Sequence, residues 1–97
     1  MMIINFLGSK NREVQKNKVI KEFGKILLQI DSEEKMMDFL EGILTPKELE
    51  ELPNRLEIIK MLKRGVSHHD IAGKLGVVVA TVGRGSRELQ KGRFQYV

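Results

Sequence analysis

Polar, cationic and small residues of a kind that could bind a polyanion gather in the last third of the chain. Ser67, His68, His69 and Asp70 stand together, Lys74 follows, and Val79-Ala80-Thr81-Val82-Gly83-Arg84-Gly85-Ser86-Arg87 runs on towards Lys91 and Arg93. Small side chains interleaved with guanidinium and ammonium groups suit a polyanion. The cations neutralise phosphate, and the short residues allow close approach to base edges. Ala80 and the Thr81 methyl group fit thymine methyls, and the Thr81 hydroxyl can bond a base or a phosphate. Ser67, His68 and His69 open a helix, where backbone N–H groups and the helix dipole favour phosphate. The expected DNA contacts are Ser67, His68, His69, Lys74, Val79, Ala80, Thr81, Gly83, Arg84 and Arg87.

Other chemistries fare worse. Adjacent histidines on a helix point about 100° apart, so His68 and His69 do not suit one metal ion, and no metal is expected. No cluster of nucleophile, base and orienting group stands out, so the chain does not read as an enzyme. Stacking aromatics are scarce, which favours duplex DNA over RNA. There is no cysteine, hence neither a disulfide nor a thiolate metal site, and a reducing compartment is compatible with that. The apolar run from Met1 to Leu7 is too short to span a bilayer and lacks the features of a signal peptide. A cytoplasmic protein with no membrane partner is the expectation.

Charge placement agrees with a polyanion at one end. The net charge is +4, but residues 1–54 carry −2 and residues 55–97 carry +6.

Helices are expected to carry these residues. Only two prolines occur, and long alternating patterns are missing. Val19, Ile20, Phe23, Ile26, Leu27 and Ile30 predict a first helix over about Asn11–Ile30. Asp31 or Ser32 restarts the chain, with Glu34 completing a capping box to Asp31. A second helix then carries Met36, Met37, Phe39, Leu40, Ile43 and Leu44. Thr45-Pro46-Lys47-Glu48 is a helix start, with Thr45 as cap, Pro46 in the first turn and Glu48 closing the box. Leu49, Leu52, Leu56, Ile59 and Leu62 define the apolar face of this third helix, which should kink or split near Leu52 because of Pro53. Arg64-Gly65 ends it. A fourth helix starts at Ser67, with Asp70 as its capping partner, and breaks at Gly76. A fifth runs from about Val79 to Gln90, and residues 91–97 read as irregular.

The fourth and fifth helices meet the positional demands of a helix-turn-helix. Two short helices crossing near 90–120° bury a small set of apolar residues between them. Ile71 and Leu75 face inward, Ala72 is small enough for a close crossing, and Gly76 tolerates positive φ in the turn. Val77 plugs the turn and Val82 anchors the second helix, whose N-terminal side chains would enter the major groove. The first two helices have broad apolar faces for a chain of 97 residues, which favours packing against a partner chain. A helical protein-interaction module without DNA function is the reading from another class. Salt separates the two, because DNA binding weakens steeply through counterion release.

Residues Ile43 to Lys91, about half of the chain, resemble the tryptophan repressor family. The likeness lies in Leu44-Thr45-Pro46-Lys47-Glu48, Asn54-Arg55-Leu56-Glu57-Ile58, Leu62-Lys63-Arg64-Gly65 and above all Ala80-Thr81-Val82-Gly83-Arg84-Gly85-Ser86. The sequence departs from the family pattern at Pro53, at Val77-Val78, at Gly83, where threonine is usual, and at Glu88, where serine is usual. The resemblance implies an all-α fold of five to six short helices in an interlocked homodimer. Residues 1–44 would be dimerisation helices, and residues 45–97 a core helix with the helix-turn-helix. It also implies a DNA operator as partner and free L-tryptophan as co-repressor, with no prosthetic group. Carried over by motif, the ligand residues are Gly42, Leu44, Thr45, Arg55, Arg84, Gly85 and Glu88. Arg55 and Arg84 would sandwich the indole, and Arg84 with Thr45 would hold the carboxylate. Carbonyls around Gly42 and Leu44 of the partner chain would accept the ammonium, and Glu88 would stand beside the ligand. Guanidinium planes stack on aromatic rings and bind carboxylates, and a helix C-terminus favours a cation.

Overall fold

A computed structural model describes the backbone of residues 2–97 and the side chains from residue 12 onward. The apolar side chains of Met1 to Leu7 lie outside the described residues. Among the described residues there are five helices and no strand: α1 (Met2–Gln29), α2 (Glu33–Ile43), α3 (Pro46–Lys63), α4 (His68–Leu75) and α5 (Val79–Gln90). None of them is long and apolar enough to cross a membrane. The chain divides into two compact units, Met1–Gly42 and Ile43–Val97.

In the first unit α1 begins nine residues earlier than the apolar spacing of 19–30 suggests, at Met2. No proline stands before Pro46 to stop the helix, and the cap-type residues Asn5, Ser9 and Asn11 do not break it. The restart before α2 uses Ser32 rather than an Asp31–Glu34 box. The Ser32 Oγ accepts from the Lys35 N–H at 3.1 Å, and the Lys35 ammonium donates to Asp31 Oδ1 at 2.8 Å. Phe23 and Phe39 meet edge to face with ring centroids 6.1 Å apart. Val19, Ile20, Ile26 and Met37 remain exposed, and α2 has no buried residue.

In the second unit α3 starts as its sequence dictates. Thr45 Oγ1 accepts from the Glu48 N–H at 3.2 Å, and Glu48 Oε1 accepts from the Thr45 N–H at 2.9 Å. The Thr45 hydrogen bonds hold the Glu48 carboxyl below its ordinary range. The helix then runs through Pro53 without splitting. Proline costs about 3 kcal/mol inside a helix. Burial of Ile58, Ile59 and Met61 beyond it, at roughly 1.5–3 kcal/mol each, offsets that cost.

The buried face of α3 also differs from the expected stripe. Ile58, Ile59 and Met61 are buried, whereas Leu52 and Leu56 are exposed. Apolar residues lie on more than one side of α3, so spacing alone does not say which side is covered. The core joins Ile58 and Met61 to Ile71, Ala72 and Val82, with Leu62, Val66, Leu75 and Val77 packed around them.

Candidate nucleic-acid interface and adjoining cleft

Three short-range devices set α4 and α5. Gly65 takes φ +81° after α3, which turns the chain towards α4. Ser67 caps α4, its Oγ accepting from the Asp70 N–H at 3.2 Å. Gly76 then takes the left-handed conformation, φ 67° and ψ 33°, and the Val77 N–H donates to the Ala72 carbonyl at 3.1 Å. Helix α5 opens at Val78 with no side-chain cap. It packs against both α3 and α4. The buried Ile71, Ala72 and Val82, with half-buried Leu75 and Val77, meet in one core as the spacing required.

Burial sorts α5 into two faces. Val82 is inaccessible, and Thr81, Gly85, Ser86 and Leu89 are half-buried. Ala80, Arg84 and Arg87 are exposed at successive turns, Val79 is exposed at the start of the helix, and Gly83 is half-buried. Of the expected base-reading residues, Ala80 therefore stands on the outer face, whereas Thr81 leans towards α3. Ser67 and His69 at the start of α4 and Lys74 at its end are exposed, and His68 is half-buried. Among the described residues no group of three His, Asp or Glu side chains converges as a metal site.

Beside this face lies a cleft of about 620 Å³ between α3 and α5. That volume falls within the roughly 300–1,000 Å³ of small-ligand sites. Leu52, Leu56, Ile58 and Ile59 of α3 and Ala80 of α5 supply its apolar walls, and Arg55, Arg84, Arg87 and Glu88 its charges. Gly85 packs closely against α3. A β-carbon there would lie 3.1 Å from Ile58 Cγ2 and 3.2 Å from Ile59 Cδ1.

Glu88 does not face the cleft alone. Its Oε2 accepts from Arg93 Nε at 2.9 Å and its Oε1 lies 3.4 Å from Lys91 Nζ. The Arg93 hydrogen bond, helped by Lys91, holds the Glu88 carboxyl below its ordinary range.

The cleft thus brings together four of the seven expected ligand residues, Arg55, Arg84, Gly85 and Glu88. Thr45 and Leu44 do not line it within the single chain, and Gly42 belongs to the other compact unit. Sequence reasoning missed Phe94 and put Leu52 and Leu56 on the buried face, where the structure exposes them; Ile59 is buried as expected and also lines the cleft. The same reasoning assigned Ala80, Thr81 and Arg87 to DNA alone, yet all three also line the cleft. The outward side of α3 carried a signal in its surplus of leucines, but Phe94 carried none.

Residues 18–97 match the family described as Trp repressor protein. A Trp operon repressor homolog of Xylella fastidiosa is 40% identical over 67 residues, covering 68% of this chain and 73% of that protein. A Trp operon repressor homolog of Vibrio vulnificus is 41% identical over 66 residues, covering 66% and 65%. The Bacillus subtilis protein named Uncharacterized protein YerC is 31% identical over 70 residues, covering 72% and 67%.

Proposed function

We propose that this chain, which belongs to the Trp repressor family and is a DNA-binding repressor of transcription rather than an enzyme, reads duplex DNA as a homodimer through α5 and is gated by a free amino acid such as L-tryptophan. The observation that carries this reading is one helix with two uses. Ala80, Arg84 and Arg87 of α5 are exposed beside the helix-turn-helix core, and the same three residues line the cleft against α3. A ligand seated there touches the helix that reads DNA, so its binding energy biases where that helix stands.

In the proposed roles, Val79, Ala80, Thr81 and Gly83 approach base edges. Ser67, His68, His69, Lys74, Arg84 and Arg87 hold phosphates. Arg55 and Arg84 stack on the aromatic ring, and Arg84 with Thr45 holds the carboxylate. Gly85 and Glu88 flank the ligand, and carbonyls near the partner's Gly42 and Leu44 accept its ammonium. Residues 1–44 form the dimer contact, a role favoured by the exposure of Val19, Ile20 and Ile26 on α1. Two reading helices about one DNA turn apart, roughly 34 Å, then suit a near-palindromic operator, and occupancy beside a promoter blocks transcription.

Ligand-independent repression is the second reading. It is favoured by Glu88, a carboxylate already paired with Arg93 and Lys91 in a position where family members usually carry serine. Calorimetric titration with L-tryptophan and then other amino acids, paired with DNA binding with and without each, decides between them. Heat of binding and tighter DNA association support gating. DNA association unchanged by every amino acid supports the second reading.

A further inference from the structure

The segment after α5 is tied to two helices at once. On the α5 side, Arg93 Nε donates to Glu88 Oε2 at 2.9 Å, and the Arg93 N–H donates to the Glu88 carbonyl at 3.3 Å. On the α3 side, the Lys63 ammonium donates to the Phe94 carbonyl. Gly92, just before the first tie, has φ +89°, and Phe94, at the second, has φ +63°. A bulky side chain adopts that left-handed conformation only when its surroundings hold it there. The half-buried Phe94 ring lines the cleft together with Leu52 and Leu56 of α3 and Arg84 of α5.

We propose that residues 91–94 form a strap across the cleft that fastens α5 to α3, with Phe94 as its positioning residue and as the cleft's aromatic wall. The strap keeps the glycine-containing α5 in place before any ligand arrives. A ligand with a flat apolar body packs against Phe94 and adds to the same fastening. The mechanical link stands on the contacts alone. Its consequence for a ligand rests on the reading of the cleft given above.

The test is amide hydrogen exchange on the full-length protein without ligand, in wild type, Phe94→Ala and Lys63→Met. The second variant removes the Lys63 hydrogen bonds to the Phe94 and Val97 carbonyls while leaving Phe94 and α5 unsubstituted. The expected result is exchange across residues 79–90 faster on the order of threefold or more in both variants, with residues 58–72 unchanged. Should Phe94→Ala loosen the whole second unit, Lys63→Met alone decides. Unchanged exchange at 79–90 in Lys63→Met overturns the strap. Failure of the wild type to bind DNA would overturn the proposed function, while the exchange comparison would still judge the strap.

Discussion

Gly85 lies against Ile59 so closely that a β-carbon on it would stand 3.2 Å from the Ile59 δ-methyl group. Carbon atoms in comfortable contact are about 3.5–4.0 Å apart. The glycine is thus a point of close contact between α5 and α3, and it lines the cleft. Gly83, two residues earlier, has no such neighbour: its β-carbon would meet only Arg87 Nη1, at 3.6 Å.

The two glycines therefore answer alanine with opposite signs. Gly83→Ala should stabilise the protein by about 0.5–1 kcal/mol, the ordinary gain for removing a helical glycine. Gly85→Ala should cost about 1–2 kcal/mol, because overpacking against Ile58 and Ile59 exceeds that gain. Urea unfolding at one fixed protein concentration measures both, and shifts of the same sign would contradict the close approach.

Acid should weaken the fold through two carboxylates. Glu48 and Glu88 both titrate below their ordinary value of 4.5, through hydrogen bonds from Thr45 and Arg93 respectively. A carboxyl depressed in the folded state contributes stability that is fully present above its unfolded pKa. That contribution is lost as pH falls through the folded value. Stability should accordingly decline below about pH 4.5, and Glu48→Gln with Glu88→Gln should flatten that decline. Thermal unfolding between neutral and acid pH reads it. Separately, Thr45→Ala should cost about 1 kcal/mol at neutral pH by removing the cap of α3.

Arg87 is exposed on the outer face of α5. Arg87→Ala should weaken binding to all duplexes alike and reduce the slope of log K against log salt by about 1, as expected for one lost phosphate contact. Anisotropy titrations of specific and random duplexes over a range of salt check this. Loss of discrimination at one base pair with an unchanged salt slope would instead make Arg87 a base-reading residue.

Ile20 is 58% exposed on α1 in the single chain. Ile20→Glu should therefore leave an isolated chain folded but break a dimer built on the N-terminal helices. Sedimentation equilibrium of wild type and variant reports it. A wild-type monomer, or a dimer indifferent to the substitution, would remove residues 1–44 from the interface.

Much of this fold was legible because its signals act within four residues. Thr45 with Glu48, Ser67 with Asp70, and the glycines at 65 and 76 all specify turns and caps from their own side chains and φ angles. The helix-turn-helix core was legible as well, since Ile71, Ala72, Leu75, Val77 and Val82 are fixed by the spacing between two short helices. The buried side of α3 was not. Leu52 and Leu56 look like core in a periodic reading, and only the docking of α4 and α5 onto Ile58 and Met61 decides the matter. Phe94 was invisible for a related reason. Its carbonyl accepts from Lys63, 31 residues away, a pairing that no local pattern encodes.

On the proposed reading, the outer face of α5 reads duplex DNA. The most direct measurement is selection of duplexes from a random pool by the full-length protein, followed by binding of the enriched sequence from 50 to 200 mM salt. The expected outcome is enrichment of a near-palindrome with half-sites about one helical turn apart and affinity that falls steeply with salt. No enriched sequence, together with affinity that ignores salt, would contradict it.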